Sequence, residues 1–248
     1  MNTAERLALV TGTSSGVGAA VAQQLIGEGW TVVGLSRRPT DILDPRYRHF
    51  QVDLGDLAQL KETARRELGP IVADPRWTRV GLVNNAGAIG SLRALEESDP
   101  ASVANLYVVN AVAPIFLMGF VIRSVSKATP LRIVNLSTGA ATRAIPGLGD
   151  YGSSKAALRL AGMVLAEELA SPERPGGARG NVGILSYAPG VVDTPMQVAA
   201  RAERPWNRLF IDFHEQGKLV APELPAREIV EFLEADDASG FVERRFGT

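Results

Sequence analysis

Along the chain, short apolar runs alternate with stretches in which apolar residues return every three or four positions. The runs "RLALVT" from Arg6, "TVVGLS" from Thr31, "YRHFQVD" from Tyr47, "RVGLVNN" from Arg79, "LRIVNLS" from Leu131, "NVGILSYAP" from Asn181 and "GFVERRF" from Gly240 predict strands. Several are apolar at successive positions, the pattern of a strand covered on both faces. Helical patterns begin near Gly16, Gly55, Pro100, Tyr151 and Pro222. Seven strands with helices between them predict an α/β chain. Its fold is expected to be a doubly wound Rossmann type, with a seven-stranded parallel sheet flanked by helices and joined by right-handed connections. No repeat appears, and the turn-rich "SPERPGGARGN" from Ser171 reads as a loop, so residues 1–248 read as one domain.

Two stretches depart from the alternation. Residues 190–221 fit no strand and contain Met196, Trp206, Phe210 and Phe213. A long connection at the C-terminal edge of a sheet reads as a substrate-binding lid, against the alternative of a surface excursion with its own small core. Pro100 to Ile122 carries no charge and is long enough to span a bilayer. Ser102, Asn105, Asn110 and Pro114 would be costly in lipid, so the expectation is a helix buried between the sheet and a partner, with no membrane involved.

Composition narrows the function classes. An apolar fraction of 46% supports a sizeable core, and a net charge of −1 with no basic stripe argues against nucleic acid. There is no cysteine, and His49 and His214 are isolated, so no thiolate or histidine metal site is expected, while carboxylates alone could still bind a hard cation. "MNTAERLALVTG" has no basic segment followed by an apolar one, which gives a cytoplasmic expectation.

The candidate chemistry begins in "LALVTGTSSGVGAAVAQQL", a strand, a glycine-rich turn and a helix. Gly12 permits a sharp turn, while Gly16 and Gly18 let the backbone approach a pyrophosphate at the helix N-terminus. The spacing is G-x-x-x-G-x-G, not G-x-G-x-x-G. The second strand ends in "VGLSRRP", where Ser36 replaces the acid that would accept from a ribose 2′-hydroxyl and Arg37 and Arg38 follow. A guanidinium there suits a 2′-phosphate, which favours NADP(H). Asp53 in "QVDLGD" has two open readings: it accepts from an adenine amino group, or it caps the helix near Gly55.

These residues resemble the short-chain dehydrogenase/reductase family over nearly the whole chain. The matching pieces are "TGTSSGVG" (Thr11 to Gly18), "NNAG" (Asn84 to Gly87), Asn110, "IVNLST" (Ile133 to Thr138), "YGSSK" (Tyr151 to Lys155) and "PGVVDTPM" (Pro189 to Met196). The resemblance implies that Tyr151 is the general acid/base, that Lys155 holds the nicotinamide ribose, and that Asn110 keeps a water linking the lysine to solvent. The alternative for Asn110 is a residue that only bends its helix. The resemblance also implies cofactor contacts from Ser14, Ser15, Val17, Leu54, Asn85, Ala86, Gly87, Pro189 and Val192, with Thr194 bonding the nicotinamide carboxamide. Homodimers or homotetramers packed through the Pro100 and Tyr151 helices are implied as well.

The tyrosine and lysine stand at i and i+4 on one helix face, with Leu158 and Gly162 continuing the stripe. An ammonium so placed, together with the cationic nicotinamide, is expected to lower the phenol's pKa from its usual 10. One position departs from the family. Thr138 stands where a serine is usual, and Ser137 precedes it on the opposite face of a regular strand. Thr138 keeps the hydroxyl and reads as the carbonyl donor. Around the tyrosine and in "APGVVDTPMQ" the chain looks most like the branch containing benzil and sepiapterin reductases. The expected activity is NADPH-dependent reduction of a ketone or aldehyde, a small-molecule vicinal diketone of the benzil type. The alternatives are a 3-oxoacyl thioester reductase and a catalytically weak NADP(H)-binding redox sensor.

Overall fold

The structure, a computed structural model, describes residues 5–202 and 206–247. In chain order the elements are β1 (Glu5–Thr11), α1 (Gly16–Gly27), β2 (Thr31–Ser36), β3 (Tyr47–Gln51), α2 (Leu57–Thr63), α3 (Gly69–Val72), β4 (Trp77–Asn84), α4 (Pro100–Tyr107), α5 (Ala113–Ser124), β5 (Leu131–Leu136), α6 (Gly149–Ala170), β6 (Val182–Ala188), α7 (Pro195–Arg201), α8 (Arg208–Glu215), α9 (Glu223–Glu234) and β7 (Gly240–Arg245). The seven strands form one parallel sheet in the order β3-β2-β1-β4-β5-β6-β7. The order reverses between β1 and β4, so their C-terminal ends open a crevice, the place where such sheets bind ligands.

Strand alternation divides the core in two. Leu7, Leu9, Leu82 and Ile133 face α2, α5 and α6, where they pack with Leu60, Leu117, Val121 and Leu158. Ala8, Val10, Val83 and Val134 face the other way and pack with Val21, Leu25, Ile229 and Phe232 of α1 and α9. The central strands are therefore apolar at successive positions, because both of their faces are covered.

The long apolar segment packs one side into the core. Pro100–Ser124 is the one helix among the described residues long and apolar enough to cross a membrane, yet Leu117, Met118 and Val121 lie in the sheet-facing core. It is not one regular helix. A π-turn, Val108–Val112, separates α4 from α5 and contains Asn110. A second π-turn, Ala64–Leu68, joins α2 to α3. Single π-turns of this kind gather at functional sites. The 190–221 connection forms α7 and α8, a short bridge ties Val192 to Val220, and Ala200 and Phe210 share a cluster with Tyr151. Its described residues thus share a cluster with Tyr151 instead of forming a separate core.

Candidate active site

The glycine turn is built around Thr11. Its hydroxyl accepts from the backbone N–H groups of Asn85 and Ala86, both at 3.0 Å, and the Asn85 side chain donates to the Thr11 carbonyl at 2.8 Å. The ends of β1 and β4 are thereby locked together. A Cβ on Gly12, whose φ is +76°, would stand 2.7 Å from Asn85 Nδ2, and one on Gly18 would stand 2.4 Å from the Gly12 carbonyl oxygen. Ser15 is the N-cap of α1 but its hydroxyl caps nothing, so first-turn N–H groups of α1 stay available. A cradle this close, ending on an open helix N-terminus, fits a pyrophosphate. Val17 and Leu54 are buried in the core, so what they offer a ligand is backbone. Asn84, by contrast, points into the core and donates to Asn135 Oδ1 at 2.8 Å.

At the outer edge of the crevice the roles are redistributed. The Ser36 hydroxyl bonds the Arg38 carbonyl at 2.7 Å and His49 Nε2 at 2.8 Å, so it shapes the turn after β2. Arg38 reaches back across the glycine turn to the Ser15 hydroxyl at 3.2 Å, while Arg37 is exposed on the same turn. The arginine pair is therefore displayed beside the cradle, and His49, to which the sequence pattern assigns no role there, braces the turn through Ser36. Asp53 does not cap α2. The cap is Asp56, which accepts from Gln59 N–H at 2.9 Å, and Asp53 closes a tight turn by accepting from Gly55 N–H at 2.8 Å. The helix starts two residues later than the glycine suggested, and that moves the cap.

The third group converges under β4. Asn110 Oδ1 accepts from Ala88 N–H at 2.9 Å, and its Nδ2 donates to the Ala88 carbonyl at 2.8 Å and the Ser154 hydroxyl at 3.1 Å. Ser154 in turn donates to the Tyr151 carbonyl at 2.7 Å. A Cβ on Gly87 would lie 3.2 Å from Asn110 Oδ1 and 3.4 Å from Lys155 Nζ. The π-turn, the β4 loop and the first turn of α6 are pinned at one point, and Asn110 does more than bend its helix.

Tyr151 and Thr138 meet at the other side of that turn. The backbone stays extended through Thr138 (φ −158°, ψ 158°), so Ser137 and Thr138 keep opposite faces. Gly152 brings α6 against the turn after Thr138; a Cβ there would be 2.7 Å from the Ala140 carbonyl oxygen. Burial pushes the Tyr151 phenol up to about 12, and the hydrogen bond with the Thr138 hydroxyl pulls the other way. The expected depression of this pKa is not what the structure gives, because desolvation outweighs the hydroxyl and Lys155 directs its Nζ to the Leu136 carbonyl at 2.8 Å. At neutral pH the phenol keeps its proton and can donate it.

Burial lowers Lys155 to about 8. Its unfolded-state value, near 10.5, is higher, so between pH 8 and 10 the unfolded chain binds more protons and stability rises with pH. That rise is expected to be about 2 kcal/mol in urea unfolding from pH 8 to pH 10. In Lys155→Met it should vanish, and at pH 7 the variant should be more stable than the native protein while inactive. Equal pH slopes in the two proteins would place the lysine in solvent.

Pro189 is half-buried at the end of β6, Val192 is buried, and Thr194 caps α7. The Thr194 methyl stands 2.9 Å from where a Cβ on Gly16 would lie, so α7 starts against the glycine turn. Around Tyr151, Leu92, Leu106, Ala140, Leu148 and Ala200 form an apolar wall. These residues are scattered over five segments of chain, and no local motif announces them.

The model of the family described as short chain dehydrogenase matches residues 6–205. A benzil reductase ((S)-benzoin forming) of Bacillus cereus is 31% identical, over 94% of this chain and 95% of its own. A sepiapterin reductase of Xenopus tropicalis is 33% identical over 62% of this chain and 58% of its own. The crystal structure of KRED1-Pglu enzyme superposes with a TM-score of 0.79 at 27% identity, covering 96% of this chain and 100% of that one.

Proposed function

The chain belongs to the short-chain dehydrogenase family, and on that premise we propose that it is an NADPH-dependent carbonyl reductase acting on vicinal diketones of the benzil type. The observation that carries this reading is the meeting of a protonated, buried Tyr151 with the Thr138 hydroxyl, beside Lys155 and above a glycine cradle. A pure binding protein needs no proton donor in that place.

The cradle of Gly12, Gly16 and Gly18, with Ser14, Ser15 and the N–H groups of α1, would hold the pyrophosphate. Arg37 and Arg38 would hold the 2′-phosphate, Lys155 and Tyr151 the nicotinamide ribose, and Thr194 the carboxamide. Bound there, the nicotinamide supplies the hydride. Tyr151 donates its proton to the carbonyl oxygen, and Thr138 donates a hydrogen bond to the same oxygen as negative charge builds on it. Lys155, its Nζ held on the Leu136 carbonyl, would steady the nicotinamide ribose one helical turn from Tyr151. Asn110 fixes the Ala88 turn and the first turn of α6, which keeps lysine and tyrosine in register. The wall of Leu92, Leu148 and Ala200 excludes water, and the 190–221 segment acts as the lid on this single domain.

The outer faces of α5 and α6 support a homodimer or homotetramer. Ile115, Leu160 and Val164 are 41%, 59% and 47% exposed there, a contiguous apolar surface that a second copy of the chain would cover. We place the enzyme in the cytoplasm, as a consumer of NADPH.

The test is a panel of benzil, diacetyl, simple ketones and acetoacetyl thioesters with NADPH or NADH, followed at the nicotinamide absorbance. Benzil with NADPH should be turned over fastest; no oxidation with any carbonyl would end the reading. On the same panel Arg38→Ala and Arg37→Ala should each weaken NADPH by up to about 2 kcal/mol and leave NADH nearly unchanged, the scale of a charge-assisted contact. Equal losses for both cofactors would show that the arginines do not read a 2′-phosphate.

A further inference from the structure

The inner face of α7 carries two nitrogen donors with no acceptor among the described residues. Gln197 is 5% exposed and its Nε2 has no hydrogen-bond partner among them; Arg201 Nη1, one turn further on, is likewise buried and without one. Leaving a buried N–H unsatisfied is costly, so such a donor in a native fold calls for an explanation.

Its position supplies one. Gln197 and Ala200 are the buried residues of α7, and three positions apart they share a face. Ala200 packs with Leu148 and Tyr151, and Thr194, three residues before Gln197, lies against Gly16. Gln197 therefore sits between the nucleotide cradle and the apolar wall around the proton donor. The purely structural role for it would be a capping box, Thr194-x-x-Gln197. The forward half is present, with Gln197 N–H donating to Thr194 Oγ1 at 3.4 Å. The reverse half would use the glutamine's oxygen and would leave Nε2 as free as before, so capping does not account for the donor.

We propose that Gln197 is a specificity-determining residue whose Nε2 donates to a second substrate oxygen beside the reacting carbonyl, so that the site selects vicinal dicarbonyls over monoketones. Both unpartnered groups on this face are donors, which suits an acceptor oxygen and rejects a ligand that lacks one. A site built to hydrogen-bond a substrate group discriminates strongly against the analogue without it, because the buried donor is then left unpaired. The inference rests on the carbonyl-reductase reading for its substrate class.

The experiment is titration calorimetry of benzil and of deoxybenzoin, its monoketone analogue, into the full chain loaded with NADP⁺. The native protein should bind benzil at least about tenfold more tightly, the range of a hydrogen bond whose loss leaves a buried donor unpaired. Gln197→Met keeps the length and removes the donor; benzil should weaken about tenfold and deoxybenzoin less than about twofold. Gln197→Glu keeps the size, strengthens the capping box and replaces the donor with an acceptor, so it separates recognition from folding of α7. It should lose benzil at least as severely as the methionine variant. Absence of a benzil preference in the native protein, including failure to bind either ligand, overturns the inference. So does a parallel loss of both ligands in the variants. A native protein that prefers benzil in binding but oxidises no NADPH with it would instead refute the reductase reading and leave Gln197's role standing.

Discussion

Tyr151→Phe is expected to lower kcat by about 10² to 10⁴ while leaving NADPH affinity nearly unchanged. The ring is 9% exposed and packs with Leu148 and Ala200, and phenylalanine keeps that packing. What disappears is the proton that burial holds on the phenol, with a pKa of about 12. The sign follows from the direction of the shift. A raised phenol pKa keeps the acid form populated through neutral pH, so reduction should not fall off as pH rises from 6 to 8 through loss of this proton. Above pH 10 the folded protein binds more protons at this site than the unfolded chain, and the same group then makes stability fall with rising pH. Stopped-flow turnover and a separate NADPH titration read the two effects independently. A variant that keeps more than about a tenth of the native kcat would remove Tyr151 from the acid role.

Thr138→Val should cost about 3 kcal/mol in the transition state, or 10² to 10³ in kcat, whereas Thr138→Ser should keep activity. Valine matches threonine in shape and lacks the donor, so the comparison isolates the hydroxyl. The structure sharpens the expectation, because that hydroxyl holds the Tyr151 pKa down against burial and also accepts from Ala140 N–H at 3.3 Å. In Thr138→Val the phenol loses the hydrogen bond that holds its pKa down, so its pKa should rise further. Serine restores the bond without the methyl and should admit bulkier ketones. A redox sensor would behave differently: negligible native turnover across the carbonyl panel, with activity gained in Thr138→Ser. If valine equals the native protein in kcat/KM, Thr138 is structural, and a backbone N–H must polarise the carbonyl instead.

The arrangement of elements was legible in the pattern of residues. The runs at Leu7, Val32, Val80, Ile133 and Ile184 are apolar at successive positions, and a strand covered by helices on both sides is the simplest consequence. The glycine turn, the Tyr151–Lys155 spacing and the buried Asn110 were legible for the same reason: each depends on a residue type whose chemistry or backbone freedom few others share. Boundaries were less well marked. Helix α6 begins two residues before Tyr151 and α2 two residues after Gly55, because the cap is decided by which side chain reaches a free N–H, and Asp56 reaches where Asp53 does not.

The sequence by itself determined the layered sheet, the glycine turn after β1, and the residue types that a carbonyl reduction needs. Only the tertiary structure decided what each polar group is bonded to. It turned Ser36 into a brace for Arg38, placed Asn84 in the core, fixed Asn110 on Ala88 and Ser154, and left the Gln197 donor without an acceptor among the described residues. It also reversed the expected shift on Tyr151, since a neighbouring lysine can be read from spacing but burial cannot. The physical reason is common to all of these. Periodicity reports which face of an element is covered, whereas hydrogen-bond partners and desolvation are set by segments distant in sequence: the loop after β4, the π-turn before α5 and the first turn of α6 meet at one point that no local stretch of the chain encodes.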